Sequence, residues 1–211
     1  MSIGAKVRRM FGRHERLVSE LWRAAFIDLD EFFARVQEWV PEPKTILEIG
    51  CGEGAGTERL AATYPRSSIL AIDVADNLGR LYRGRSDGVT FRQVAIADLV
   101  GKNAGKFDLI VMCDVLHHIP TELRPQIIAS ARALLAPGGS FVCKDWARNR
   151  TLVHWIAYAA DRWLTGDRIR YLTPAEAETL FAASFGGLAV RGRATVKPWR
   201  NNFALLLRPT V

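Results

Sequence analysis

Residues Thr45-Ile46-Leu47-Glu48-Ile49-Gly50-Cys51-Gly52-Glu53-Gly54 run from a short, mostly apolar stretch directly into glycines at every second position. An apolar run of this length closed by glycine predicts a buried strand, and Gly56 to Tyr64, which follows, is helical in pattern and stopped by Pro65. Glycines at a strand end let the chain turn tightly and let a ligand approach the main chain closely. The N-terminus of the next helix is electropositive toward an anionic group on that ligand. Strand, glycine turn and helix therefore open an α/β fold with a ligand site at the turn.

Working outward, Ser68 to Ile72 predicts a second buried strand, ending at Asp73. Val89 to Val94 and Leu109 to Met112 predict a third and a fourth. Thr121 to Leu135 predicts a helix closed by Pro137, Gly138 and Gly139, and Ser140 to Lys144 a fifth strand. Strand alternating with helix implies a parallel sheet covered on both faces. The end differs: Leu188 to Val196 and Asn202 to Leu207 are joined only by Lys197, Pro198, Trp199, Arg200 and Asn201, a link short enough to force an antiparallel hairpin.

The flanks are helical. From Arg13 to Val40, Leu17, Leu21, Ala25, Leu29, Phe32, Val36 and Val40 recur at helical steps until Pro41 and Pro43. Thr151 opens a stretch carrying Leu152, Trp155, Ile156, Ala159 and Trp163. Thr173-Pro174-Ala175-Glu176 is a capping box with proline at the first helical position.

The length of 211 residues suits one domain with a large core. Cys51, Cys113 and Cys143 have neither disulfide nor zinc spacing, which implies a reducing, cytoplasmic setting. Arg13, His14, Glu15 and Arg16 interrupt any signal-peptide core, and no run reaches the roughly 18 apolar residues of a membrane span. The net charge of +7 raises nucleic acid or an anionic membrane as partners, yet the basic residues are dispersed, with no long block and no nucleic-acid reading motif.

Taken alone, Gly50-x-Gly52 followed by Ala55 also satisfies a loose dinucleotide pattern. Beyond the fourth strand, however, stands Cys113-Asp114-Val115-Leu116-His117-His118-Ile119-Pro120, and before the fifth stands Leu134-Leu135-Ala136-Pro137-Gly138-Gly139. With Ile46 to Gly54 and Asp73, these segments resemble, in order, the motifs of class I S-adenosylmethionine-dependent methyltransferases. The resemblance covers Lys44 to Lys144 firmly and the flanks in outline. It implies a seven-stranded, mostly parallel, doubly wound sheet closed by the C-terminal hairpin. One domain would comprise an N-terminal helical lid (residues 1–40), a cofactor-binding core (44–145), a helical acceptor-side insertion (146–185) and the hairpin (186–211).

The resemblance further implies S-adenosylmethionine as cofactor, with Glu48, Gly50 and Gly52 at its aminoacyl end. Asp73 would accept hydrogen bonds from the ribose hydroxyls, and Cys51, Val74, Ile96 and Cys113 belong to the same cofactor-contacting set. Where the family often carries an adenine-binding aspartate this chain has Ala95; Asp98, three residues on, either replaces it or caps the next helix. A methyl acceptor needs an in-line approach and, for a hydroxyl or protonated amine, a base. The titratable groups at the sheet edge are His117, His118, Asp114, Lys144, Asp145 and His154, with His117 first, His118 second and Asp145 as a further catalytic or orienting group. No metal ligand set is expected.

Trp155, Tyr158 and Trp163 favour a small or medium-sized apolar or aromatic acceptor under a lid. Three rivals remain. A nicotinamide-dependent oxidoreductase lacks a Tyr-x-x-x-Lys or comparable catalytic pattern. A nucleic-acid methyltransferase would carry an Asn-Pro-Pro-Tyr type motif or a Pro-Cys nucleophile, and Cys113-Asp114-Val115-Leu116 stands there instead. A non-catalytic cofactor-binding or membrane-surface module would use the basic, aromatic segment from Arg148 to Arg170 as an interfacial helix.

Overall fold

Strand β1 is Thr45–Ile49, in a computed structural model that describes residues 28–160, 169–185 and 189–209. It pairs in parallel with β2 (Ser68–Asp73) on one side and β4 (Phe107–Cys113) on the other. β3 (Val89–Gln93) extends the sheet beyond β2, and β5 (Leu135–Trp146) lies beside β4, both again parallel. β7 (Asn202–Arg208) runs antiparallel to β5 and to β6 (Ala189–Val196), which completes a seven-stranded sheet of order β3-β2-β1-β4-β5-β7-β6. The short link from Lys197 to Asn201 leaves no room for a crossover, so the expected hairpin forms.

Alternation along the strands sends successive side chains to opposite faces. On one face Ile46, Leu109, Val111, Val142, Ala204 and Leu206 meet α1 (Leu29–Trp39) and α2 (Ala55–Thr63). On the other, Leu47, Ile110, Met112, Phe141 and Leu205 meet α3 (Ile96–Asn103), α4 (Arg124–Leu134) and α6 (Pro174–Phe185). Both faces are covered, which is why the central strands read as continuous apolar runs. α5 (Leu152–Ala160) stands apart, after β5.

Of the expected N-terminal lid, Leu17, Leu21 and Ala25 lie outside the described residues. Its described end, α1, is capped by Asp28, which accepts from Glu31 N at 2.8 Å, and buries Phe32, Phe33 and Val36 in the core. The capping box at α6 forms in both directions: Glu176 N donates to Thr173 Oγ1 at 3.2 Å and Thr173 N to Glu176 Oε2 at 2.7 Å.

Two boundaries differ from the sequence expectation. α4 begins at Arg124 rather than Thr121, because Leu123 N is taken by a turn to Pro120 O at 3.0 Å and Pro125, lacking an N–H, fits only the first helical turn. β5 begins at Leu135 rather than Ser140. Its pairing with β4 shifts register between Phe107 and Leu109, and the Pro137-Gly138-Gly139 turn is taken up as a bulge inside the strand. Among the described residues no helix is long and apolar enough to cross a membrane, and no group of His, Cys, Asp and Glu could hold a metal ion.

Candidate active site

β1 and β4 are neighbours whose following helices, α2 and α4, cover opposite faces, so the carboxyl ends of these strands form the topological switch point of the sheet. The glycine loop sits there. Gly50 N and Cys51 N donate to Ile72 O at 2.8 and 3.1 Å, bending the chain across the end of β2. Gly50 has φ +77°, and a Cβ on it would lie 2.2 Å from Val115 Cγ2. Gly52 has φ +49° but a Cβ there would meet nothing within 4 Å. One glycine is thus demanded by packing, whereas the other bares its backbone to open space.

Glu48 is buried beneath this loop. Thr57 Oγ1 donates to its Oε2 at 2.5 Å, and a Cβ on Gly56 would come within 2.3 Å of Oε1, so the first turn of α2 closes on the carboxyl. Burial pushes the carboxyl up to about 7, partly opposed by the Thr57 hydrogen bond and reinforced by the charge of Asp73. A carboxyl that holds its proton better when folded adds stability below its ordinary value of 4.5, and that stability is lost as pH rises through about 7. The ligand-free protein is therefore expected to lose stability across this window, and Glu48→Gln to flatten the slope while raising the melting temperature at higher pH. Thermal melts at intervals across the window check this; an unaltered slope in the variant contradicts it.

Asp73 is oriented by two backbone donors, Gly52 N to Oδ2 and Ala75 N to Oδ1, both at 2.9 Å. Each carboxylate oxygen retains a further acceptor site. Val74 follows and is 72% exposed, while Ile96 is buried. Asp98 is exposed in the first turn of α3, which starts at Ile96, so it favours the helix dipole from within rather than capping from outside. Burial, with the charges of Glu48 and Asp73, raises the Cys51 thiol, and burial, with the charge of Asp114, raises that of Cys113, so both cysteines stay protonated and pack.

A strap from Gly79 to Tyr82 also lies across the loop. Gly79 N donates to Gly52 O and Leu81 N to Glu53 O, both at 3.0 Å, and Arg80 pairs with Glu53 at 2.6 Å. A Cβ on Gly54 would lie 2.9 Å from Tyr82 Cβ. The sequence marks this strap only by Gly79, whose φ of +62° and close packing on the Phe91 ring leave no room for a side chain.

At the ends of β4 and β5 the remaining candidates converge. A 3-10 turn, Leu116–His118, follows β4. His117 Nδ1 is hydrogen-bonded to Asp145 Oδ1, and His117 N donates to Asp145 Oδ2 at 3.0 Å. Both side chains are buried. Burial works to raise the Asp145 carboxyl, but the His117 charge and hydrogen bond, Trp146 N and Lys144 together hold it below the ordinary carboxylate value. Lys144, fully buried, holds Asp114 at 2.6 and 2.8 Å, with Asp114 itself at φ +57°. The His118 ring lies 4.0 Å from that of His117.

Arg124, which the sequence presents as an ordinary helix-start residue, is buried. Its Nε donates to Ile119 O at 3.0 Å and its Nη2 to Arg170 O at 2.9 Å, while Arg170 N donates to His117 O at 3.0 Å. Residues 169–171 are thereby clamped over the His117 turn. Tyr171 then sits edge-on to His117 at 5.2 Å and to His154 at 5.4 Å, and beside Trp146 at 6.3 Å. His154 and Tyr158 face this cluster, whereas Trp155 is exposed; Trp163 lies outside the described residues.

Among the described residues, several of the basic side chains that raised nucleic acid as a partner are engaged within the fold. Arg80 pairs with Glu53, Arg148 with Glu176 and Arg193 with Glu178, and Arg85 donates to Ser67 O at 2.5 Å.

Comparison with known proteins agrees with this geometry. The family profile of a methyltransferase domain matches residues 47–141, from β1 into β5. Over 150 residues the chain is 25% identical to a ubiquinone biosynthesis O-methyltransferase of Acinetobacter baylyi, covering 65% of this chain and 61% of that protein. Over 102 residues it is 36% identical to a malonyl-[acyl-carrier protein] O-methyltransferase of Geobacter sulfurreducens, covering 47% and 38%. The chain thus spans about three fifths of the first relative's length and less than two fifths of the second's. The fold is that of the Burkholderia thailandensis 1,6-didemethyltoxoflavin-N1-methyltransferase, solved with 1,6-didemethyltoxoflavin and S-adenosylhomocysteine, at a TM-score of 0.70 and 18% identity over 98% of this chain and 88% of that one. The glycine loop and the carboxylate-ended second strand thus lie within residues 47–141, the part of the chain that matches a methyltransferase domain, in a sheet that has the fold of solved methyltransferases.

Proposed function

We propose that the chain transfers a methyl group from S-adenosylmethionine to a small or medium-sized apolar or aromatic acceptor by in-line displacement. The carrying observation is the juxtaposition, at one sheet edge, of a glycine loop with bare backbone at Gly52 and a buried Asp145–His117 pair faced by Tyr171. The loop fits the cofactor: open space at Gly52, two oriented oxygens on Asp73 and an exposed apolar Val74 suit backbone approach, ribose hydroxyls and a base in turn. Glu48 beneath the loop and the N-terminal N–H groups of α2 suit its ammonium and carboxylate, with Gly50, Cys51, Ile96 and Cys113 as packing. Asp98, exposed in the first turn of α3 near Ile96, is the carboxylate assigned in this reading to the adenine end. When bound, S-adenosylmethionine supplies a methyl group on a sulfonium that leaves as a neutral thioether.

The chain's own residues then act on the acceptor. Asp145 accepts from His117 Nδ1, which fixes the imidazole tautomer so that its lone pair resides on Nε2, the nitrogen that takes the acceptor's proton. Asp145 is a positioning residue through His117, and its backbone-bound second oxygen keeps the pair rigid. Tyr171, His154, Tyr158 and His118 provide an aromatic wall suited to a flat acceptor. The structural neighbour from Burkholderia thailandensis holds a small ring acceptor, which supports this class of substrate.

The test is a screen with isotopically methyl-labelled S-adenosylmethionine on cell extract fractionated into small molecules, protein and RNA, read by mass spectrometry. Label is expected in a small apolar product. Label in RNA, with activity falling steeply as salt rises from about 50 to about 200 mM, would instead support the polynucleotide alternative.

A further inference from the structure

Leu152, Trp155 and Ile156 on α5 are 75, 59 and 46% exposed. Their spacing places them on one helix face. His154 and Tyr158, by contrast, turn their rings toward Tyr171. The helix therefore covers the acceptor side with one face and presents a contiguous apolar face to the outside, an arrangement that marks an interaction surface.

A second apolar group stands beside it. Trp199, in the turn between β6 and β7, is 57% exposed. That turn is tied to the start of α5: Asn201 Nδ2 donates to Thr151 Oγ1 at 2.9 Å, Asn149 Nδ2 to Asn201 Oδ1 at 3.0 Å, and Ala147 N to Asn201 O at 2.8 Å. Because β7 begins opposite the end of β5, pairing Asn202 with Trp146, both groups lie at the carboxyl edge of the parallel strands, where the site opens.

The two segments that form this edge carry only positive charge of their own. Residues 148–156 and 197–201 contain Arg148, Arg150, Lys197 and Arg200 and no Asp or Glu. From neighbouring elements Glu176 reaches Arg148 and Glu31 reaches Lys197; Arg150 and Arg200 are exposed. Exposed tryptophan and leucine beside the positive charge of Arg150 and Arg200, unpaired among the described residues, match the interfacial zone of a bilayer with anionic headgroups, and the net charge of +7 acts in the same direction.

We propose that the exposed face of α5 and the β6–β7 turn dock this protein on an anionic membrane surface, with the mouth of the site toward the bilayer. Docking stands on the surface alone. Only its use, passage of an apolar acceptor from lipid to Tyr171 and His117 without crossing water, rests on the proposed methyl transfer.

The experiment is co-sedimentation of the full chain with vesicles of phosphatidylcholine and phosphatidylglycerol, about three parts to one, against phosphatidylcholine alone, without cofactor or acceptor. The protein is expected to sediment with the mixed vesicles, and about tenfold less strongly with phosphatidylcholine alone or in about 0.5 M salt. Trp155→Glu and Trp199→Glu should each weaken binding about tenfold, and Arg150→Glu with Arg200→Glu should remove the preference for phosphatidylglycerol. Circular dichroism melts confirm that the variants fold. The proposal is overturned if the unmodified protein stays in solution with mixed vesicles, or if folded Trp155→Glu binds as well as it. It is equally overturned if light scattering shows a lipid-free dimer that Trp155→Glu dissociates, since a second copy would then cover the face. A negative result leaves the methyl-transfer assignment standing, because no turnover is read.

Discussion

Gly52→Val is expected to remove cofactor binding while leaving the protein folded. A side chain at Gly52 meets no protein atom within 4 Å, so it occupies open space over the loop, the volume assigned to the ligand. The positive φ of +49° costs on the order of 1 to 3 kcal/mol in stability, which a domain of this size tolerates. Affinity for S-adenosylhomocysteine should fall at least ~100-fold, about 2.7 kcal/mol. Gly50→Val makes the opposite contrast, since its Cβ would lie 2.2 Å from Val115 Cγ2, and it should destabilise the fold itself. Asp73→Ala should weaken binding less than Gly52→Val, losing roughly 1.5 to 3 kcal/mol as an oriented charged acceptor disappears. Titration calorimetry beside thermal melts separates the three; a folded Gly52→Val that binds like the unmodified protein would place the ligand elsewhere.

The second large effect concerns His117. His117→Gln should lower kcat by about 10² to 10⁴, the usual contribution of a positioned base, with cofactor affinity within about threefold. Asp145→Asn should lower kcat less and leave KM for the acceptor unchanged, because Asp145 acts through the imidazole it orients. Full activity in a folded His117→Gln would make the buried pair structural and would point to an acceptor atom that needs no base.

Much of this architecture is legible in the sequence because local signals and tertiary demands coincide. Ile46, Leu47 and Ile49 form an unbroken apolar run because helices cover both faces of β1, and Thr173 with Glu176 satisfies donors that any helix start at Pro174 would leave open. Glu48, Gly52 and Asp73 were accessible for a related reason: a loop between neighbouring strands brings them together whatever the rest of the chain does.

Other features depend on contacts distant in sequence. Arg124 is charged at a helix start, the pattern of a solvated residue, and only its bonds to Ile119 O and Arg170 O account for its burial. The strap at Gly79 to Tyr82 has no periodicity to betray it. α5 is the most instructive case. Leu152, Trp155, Ile156 and Ala159 define an apolar stripe, but periodicity says only that a helix has two faces, not which one the fold covers. Here the stripe turns outward at Trp155, and His154 and Tyr158 turn in.

The most direct test of the central assignment is one calorimetric titration of the unmodified protein with S-adenosylhomocysteine and, separately, with NAD. Both ligands carry an adenosine whose ribose a carboxylate such as Asp73 could hold, so the discrimination rests on the loop at Gly50 and Gly52 and on Glu48 beneath it. Saturable binding of S-adenosylhomocysteine with no heat from NAD is the predicted result. Binding of NAD with none of S-adenosylhomocysteine would contradict the account.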